Sequence, residues 1–200
     1  PKNKIHFYAV QPELQKMVQM IFQKPYFPVE LDKLGAELNF HRLEPRTPNM
    51  IGDLKITPYL LDHPDPCWGM KIENGNKTYA HCVDTEAIRV SRDELGADLP
   101  LYQNVDLMLF DAQYTLQETM DKIDWGHAAA SIGLDIAIRE QIKKVLFMHH
   151  DPAASDEKIS LAEAQARNYF KSQKKSAHRS HHEFFEVQWQ YIWDGFEIDL

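Results

Sequence analysis

Histidines and aspartates in this sequence follow short apolar runs. His63 follows "LKITPYLLD", Asp84 follows "KTYAHCV", Asp111 lies near the end of "VDLMLFDA", and His149 follows "KKVLFM", while His127 precedes another apolar stretch. Imidazole and carboxylate groups together suit Zn²⁺, Mn²⁺ or Fe, and one carboxylate can bridge two such ions. These residue types therefore indicate a hydrolytic site with two metal ions.

The apolar runs must be strands of one sheet if these side chains are to meet. Short runs rich in β-branched and aromatic residues predict eight strands: "KIHFYAV", "AELNFHRL", "LKITPYLL", "WGMKIE", "KTYAHCV", "VDLMLFDA", "KKVLFMH" and "FEVQWQYIW". Helices are predicted over 12–23, about 127–142 and about 155–175, the last with Ser155 as its N-cap. This order predicts an α/β or α+β sandwich. Its loops would gather the polar residues that end the strands at one edge.

We predict that Asp84 is the acid that bridges two ions, because it directly follows an apolar run that is predicted to be a strand. The plainer alternative is a turn acid within "DTE". For the histidines the alternative is solvated loop residues, since the chain has 10 of them. His149 and His150 are consecutive, so their side chains point in opposite directions and only one can face a given site.

His127 follows Gly126 and is predicted to begin a helix. The glycine allows close approach of a ligand, and free N–H groups at the start of a helix favour an anion. We predict that His127 contacts a phosphate oxygen or protonates a leaving group. A capping or surface residue is the alternative.

The composition is that of a folded domain with a substantial core, at 44% hydrophobic and 26% charged residues. Its net charge of −8 disfavours a broad contact with nucleic acid backbones. The sequence contains neither a run of about 20 apolar residues nor a signal peptide, so no membrane association is expected. Two cysteines without a CxxC motif favour a cytoplasmic protein.

Several of these stretches resemble the metallo-β-lactamase fold hydrolases, in the branch of the tRNA 3′-processing endoribonucleases and cyclic-phosphate phosphodiesterases. "LLDHPDPCWGMKIE" is similar to a histidine motif of the family, and "YAHCVDTE" to the stretch with its bridging aspartate. "LMLFDAQYT" resembles a strand that ends in an acid. "WGHAAASIGLDIAIREQIKKVLFMHHDP" resembles a long and specific run that carries two of the family's histidines.

The resemblance implies a role for each matching residue. His63 would bind the first metal, Asp84 would bridge, and His149, three positions before Pro152, would bind the second. Asp111 would support these ligands from behind, and His127 would be the catalytic histidine near the scissile phosphate. The remaining histidines match no motif and are predicted to be structural or on the surface.

One motif of the family, H-x-H-x-D-H, is not found in the 200 residues. The resemblance therefore implies that residues 1–200 form the larger, C-terminal part of one αββα sandwich, incomplete at its N-terminus, with three of seven expected ligands. Two divalent ions are expected in the complete domain, with zinc favoured over manganese or iron. The chain alone would then be inactive. A metal-free site used only for binding is the alternative.

The expected substrate is a small phosphodiester or cyclic nucleotide, hydrolysed by a hydroxide that two metal ions activate. Only 21 positions separate His63 from Asp84, which leaves no room for the tRNA-binding arm expected of the endoribonucleases. This interval and the negative charge argue against tRNA. A lactonase or thioesterase is the alternative enzyme, because a fold does not choose its substrate. The sequence is also compatible with a homodimer.

Overall fold

A computed structural model describes residues 3–199 as a mixed α/β structure with two sheets. The strands are β1 (Asn3–Ala9), β2 (Ala36–Arg42), β3 (Asn49–Ile51), β4 (Leu54–Leu60), β5 (Trp68–Asn74), β6 (Lys77–Cys82), β7 (Leu107–Asp111), β8 (Lys144–Met148) and β9 (Gln188–Tyr191). The α-helices are α1 (Leu14–Ile21), α2 (Arg92–Leu95), α3 (Leu116–Asp121), α4 (Ala130–Glu140) and α5 (Asp156–Arg179). Short 3-10 segments occupy Leu31–Lys33 and Gly96–Leu101.

Strand directions in the larger sheet bring several strand ends to one edge. Strands β1 and β2 form a separate parallel pair, and the larger sheet has the order β3-β4-β5-β6-β7-β8-β9. Neighbours from β3 to β6 are antiparallel, and neighbours from β6 to β9 are parallel. Strand β4 therefore runs in the same direction as β6, β7 and β8. The carboxyl ends of these four strands lie at the same edge, as the sequence predicted.

The core lies between the parallel strands and the helices that cover them. Phe110 in β7 and Phe147 in β8 are fully buried, and α4 packs on both strands. Gly133 allows this close approach, because a Cβ there would lie 2.6 Å from the Phe110 ring and 2.9 Å from the Phe147 ring. Continuous apolar runs such as these are typical of parallel strands that are covered by helices.

All eight predicted strands are present, and Ser155 caps α5 as predicted, accepting a hydrogen bond from the Lys158 N–H. The short strand β3 and the helices α2 and α3 were not predicted. Both short helices begin with a capping box, Ser91 with Glu94 and Thr115 with Glu118, so the sequence did carry a signal for them.

The prediction that His127 begins a helix is wrong. Helix α4 begins at Ala130, with Ala129 in extended conformation as its N-cap. The preceding residues are held in extended form because Ala129 forms a bridge with Tyr114, and the Ala128 N–H donates to Asp111.

Between residues 3 and 199, none of the helices combines the length and apolar character needed to cross a bilayer. That residues 1–200 belong to a single domain stays a prediction. Residues 1, 2 and 200 lie outside the described range.

Candidate metal centre

The loops at this edge of the larger sheet place three predicted site residues, all histidines, around one carboxylate oxygen, Oδ1 of Asp84. The Nε2 atom of His63 lies 3.6 Å from it, Nε2 of His149 lies 3.5 Å away, and Nδ1 of His127 lies 3.6 Å away. Asp111 stands behind them, fully buried. The structure thus brings together all five residues that the sequence singled out.

Two of these residues have a backbone conformation that side-chain-bearing residues rarely adopt. Asp84 has a φ of 70° and His149 a φ of 65°. Both follow a strand directly or nearly so, and the left-handed turn redirects the chain at the edge of the sheet. Such conformations cost free energy and occur often at functional sites.

His63 is oriented by its own loop and by a glycine. Its Nδ1 atom lies 2.9 Å from the carbonyl oxygen of Asp65, so an Nδ1–H tautomer would leave the Nε2 lone pair directed at Asp84. Gly126 packs on the other side of the ring, and a Cβ at this position would lie 2.2 Å from Cδ2 of His63. Gly126 also has a φ of 85°. Both the close approach to His63 and the positive φ therefore require a glycine at position 126.

The two consecutive histidines after β8 point in opposite directions. His149 faces Asp84, whereas the His150 ring stacks on Tyr191 with an interplanar angle of 7°. The His150 Nε2 atom lies 3.1 Å from the carbonyl oxygen of Ile192. His150 therefore supports the neighbouring strand β9 and lies outside the cluster.

Asp111 holds the site together as a hydrogen-bond acceptor. Its Oδ2 accepts hydrogen bonds from the backbone N–H of Asp84 at 3.1 Å and of Thr85 at 3.4 Å. Its Oδ1 accepts from the N–H of Gln113 at 3.0 Å and of Ala128 at 3.3 Å. These contacts tie the loops after β6 and β7 to the segment before α4. They occupy both oxygens, so Asp111 positions the cluster.

The same carboxylate orients His127. The Nδ1 atom of His127 donates to Oδ2 of Asp111 at 3.0 Å. This hydrogen bond raises the pKa of the His127 imidazole above its ordinary value, with further support from the charges of Asp111, Asp84 and Glu86, while partial burial acts in the opposite direction. The Tyr114 ring stands edge-on to His127 at 5.7 Å between ring centres. These two contacts hold the His127 ring in place through Nδ1 and the ring itself. The Nε2 atom is therefore available to bind a substrate.

A partly buried ion network, which the sequence did not reveal, anchors the chain just before His63. Asp98 accepts two hydrogen bonds from Arg46, at 2.8 and 3.0 Å, and one from Arg89 at 2.9 Å. Arg89 also pairs with Asp62 and donates to the carbonyl oxygen of Leu60 at 2.9 Å. Burial raises the pKa of Asp98, but the hydrogen bonds from the two arginines outweigh it and lower that pKa.

The donor set fits a divalent metal ion. Ligand atoms of Asp84, Asp111, His127 and His149 all lie within 4.8 Å of one another, and His63, which is not part of that group, lies 3.6 Å from Asp84. Asp111 and His127 are already joined by a hydrogen bond, so His63, Asp84 and His149 are the candidates for metal ligands. Two ligands of a tetrahedral zinc ion are about 3.4 Å apart, given bond lengths of about 2.0–2.2 Å. The separations of 3.5 and 3.6 Å from Asp84 to His149 and His63 are close to that value. The residues present could therefore hold an ion such as zinc.

Solved structures with the same fold share little sequence with the chain. YhfI from Bacillus subtilis, a metallo-β-lactamase fold protein, matches with a TM-score of 0.63 and 14% identity over 96% of this chain and 64% of its own. Yeast PDE1 matches with a TM-score of 0.65 and 12% identity, over 96% of this chain and 59% of its own. A diphosphatase of the PhnP family matches with a TM-score of 0.60 and 13% identity, over 98% and 59%. The chain thus spans about three fifths of the length of these proteins.

Sequence comparison gives a family. No curated protein sequence matches the chain. The model of the beta-lactamase superfamily domain matches residues 1–150, which include every predicted site residue. This match confirms the family resemblance that the motifs indicated, and the chain belongs to the beta-lactamase superfamily.

Proposed function

We propose that the protein is a metal-dependent phosphodiesterase that acts on small substrates. The observation that carries this proposal is the Asp111–His127 pair, which stands 3.6 Å from the carboxylate that His63 and His149 approach. A histidine that can donate a proton, beside a set of metal ligands, suits a reaction whose leaving group needs a proton. An activated aryl ester makes a weaker demand of this kind.

The proposed metal ligands are His63, Asp84 and His149, with Asp84 as the bridge between two divalent ions. Zinc is the favoured ion, with manganese or iron as alternatives. Such ions lower the pKa of bound water and stabilise negative charge on phosphoryl oxygens. These residues are three of the seven ligands that the family resemblance implies. Full activity is therefore proposed for the full-length protein.

The proposed role of His127 follows from its hydrogen bond. Because Asp111 occupies the Nδ1 atom, Nε2 is the ring atom that would donate a proton to a leaving alkoxide or a hydrogen bond to a phosphoryl oxygen. The raised pKa keeps a larger fraction of the imidazole protonated near neutral pH than in an ordinary histidine. Asp111 is proposed to position His127 without contacting the substrate.

Two features support a small substrate. The interval between His63 and Asp84 contains only the β5–β6 hairpin, whose strands pair as far as Asn74 and Lys77, and no long arm extends from it. The net charge of −8 would repel a long polyanion. Both cysteines, Cys67 and Cys82, are free thiols, in keeping with the cytoplasmic location that we propose.

The test combines metal analysis with a choice of substrates. Full-length protein would be assayed on bis-(p-nitrophenyl) phosphate, a p-nitrophenyl ester and a lactone, with metal content measured on the same samples. We expect bound zinc and a preference for the phosphodiester. The Asp84→Ala variant should lose both metal and activity. Preferred hydrolysis of the ester or lactone would replace the proposal by the alternative enzyme, and absence of metal binding would favour a binding module.

Variants of His127 separate its role from that of the ligands. The His127→Ala variant should keep its metal and lose about 10²–10⁴-fold in kcat. The defect should be smaller with p-nitrophenolate, a good leaving group, than with an alkoxide. Loss of metal in this variant would contradict the role proposed for His127.

A further inference from the structure

The segment between β7 and α4 carries apolar side chains that solvent reaches. They are Leu116, Met120, Ile123 and Trp125, and Trp125 is 62% exposed. Exposed apolar side chains are common singly, whereas several along one segment beside a reactive site suggest a binding surface. Trp125 is the member of this set that is nearest in the chain to His127.

The backbone of Trp125 is fixed between two loops of the metal centre. Its N–H donates to Oε1 of Glu86 at 3.2 Å. Glu86 is 9% exposed and follows Asp84 by two positions, while Trp125 precedes His127 by two. The backbone that carries the indole is thus tied by this hydrogen bond to the loop that follows Asp84.

Lys122 connects the Trp125 ring with the surroundings of His127. Its Nζ atom lies 4.0 Å from the centre of the Tyr114 ring and 5.5 Å from the Trp125 ring. Tyr114 in turn contacts His127 edge-on. Lys122 is partly exposed, and its carboxylate partner Asp151 is 3.9 Å away, which is a loose ion pair. A cation and an exposed aromatic ring therefore lie together on the segment that leads to the proposed proton donor, with Tyr114 between Lys122 and His127.

We propose that Trp125 determines substrate specificity by stacking on a planar aromatic group of the substrate, such as a nucleobase. An aromatic ring is the group that an exposed indole binds best, and Lys122 would favour negative charge nearby. Stacking of this kind accepts any base, because every base has a π face. This inference rests on the proposed function and specifies its substrate class as phosphodiesters that carry a base.

The kinetic test uses two substrates that differ only in the base: the methyl ester of adenosine 5′-monophosphate and the methyl ester of ribose 5-phosphate. Wild-type protein should prefer the first, mainly through KM. The Trp125→Ala variant should reduce this preference by about 5- to 100-fold, the range that loss of one stacked base implies. The Trp125→Phe variant should restore part of it. The Trp193→Ala variant removes a tryptophan that is 70% exposed after β9 and should keep the wild-type preference.

A binding test separates this inference from the proposed function. If wild-type protein hydrolyses neither ester, the proposed function fails, and calorimetric binding of adenosine 5′-monophosphate and ribose 5-phosphate to the zinc-loaded protein decides the inference alone. We expect tighter binding of the nucleotide, and loss of that difference in Trp125→Ala. An unchanged preference in Trp125→Ala, or equal losses on both compounds, would overturn the inference. So would dissociation of an oligomer in Trp125→Ala by sedimentation, because the exposed segment would then be an interface between copies.

Discussion

Gly126 and His63 are in such close contact that a single added methyl group at Gly126 would overlap the imidazole ring, 2.2 Å from Cδ2. The two residues come from loops that follow different elements, yet the position of one ring depends on the missing side chain of the other.

Substitution of Gly126 should therefore displace a proposed metal ligand. We expect Gly126→Ala to weaken zinc binding about 10- to 100-fold. This is the range observed when groups that orient metal ligands are mutated in other metalloproteins. Gly195→Ala is the matched control, because Gly195 has a similar φ of 83° but no atom within 4 Å of the added Cβ. Zinc titration of both variants would separate steric displacement from backbone strain. Equal affinities would contradict the role of this contact.

Asp111 is expected to be essential for folding as well as for the site. In Asp111→Asn the amide NH₂ group would replace one of the two oxygens and would face backbone N–H donors that had been accepted by that oxygen. The unpaired donors should destabilise the protein by about 3 kcal/mol or more. The pKa of His127 should fall, because its largest upward cause is removed. Urea unfolding and NMR titration would measure the two effects. The control Asp106→Asn changes an acid just before the same strand, which pairs with the exposed Lys143 and accepts one backbone hydrogen bond, from Thr78, in place of the four that Asp111 accepts. It should cost less, about 1–2 kcal/mol.

The consecutive histidines after β8 offer a test of side-chain direction. We expect His149→Ala to lose bound zinc while largely retaining its fold. His150→Ala should retain zinc and lose about 1 kcal/mol of stability, since the stacking on Tyr191 and the contact with Ile192 disappear. Metal analysis and thermal unfolding of the two variants are the measurements. The opposite pattern would mean that the ligand after β8 is His150.

Glu118 should make the stability depend on acid pH. Burial raises the pKa of its carboxylate, but Lys158 at 2.7 Å and the cap formed with Thr115 lower it to about 2, from 4.5. Because the pKa is lower in the folded state, its contribution is present above about pH 4.5 and is lost as the pH falls towards 2.

The stability difference between wild type and Glu118→Gln, measured by urea unfolding, should therefore shrink between pH 5 and about pH 3. Glu94 is the matched control, because it closes a similar capping box with Ser91 on α2 but is exposed and forms no ion pair with a lysine between residues 3 and 199. Glu94→Gln should show a smaller change with pH. A constant difference for Glu118→Gln would show that the Lys158 pair contributes little.

The strands and the edge where their polar ends meet could be predicted from the sequence, because apolar runs and strand direction are local or near-local properties. The direction of His149 as opposed to His150 followed from a motif. The left-handed turns at Asp84 and His149 could not be predicted, because only a few per cent of residues other than glycine have a positive φ and no local pattern shows which ones do.

Polar contacts between residues that are distant along the chain also could not be predicted from the sequence. Arg46 lies 52 positions before Asp98 and Arg89 nine positions before it, and nothing in their local patterns shows that the three share a network. The start of α4 was misplaced for a similar reason. A helical pattern of apolar residues extends over the segment, but the Ala129 bridge and the Ala128 hydrogen bond keep its first residues extended.

The proposed ligands come from loops that are distant along the chain. His63 and Asp84 are 21 positions apart, and Asp84 and His149 are 65 positions apart. Metal ions held by His63, Asp84 and His149 would act as reversible cross-links that close both of these loops, and the entropy of the open chain makes such closures stabilising. Resistance to proteolysis would then rise and fall with the supply of zinc, so that metal availability could set the lifetime of the protein as well as its activity.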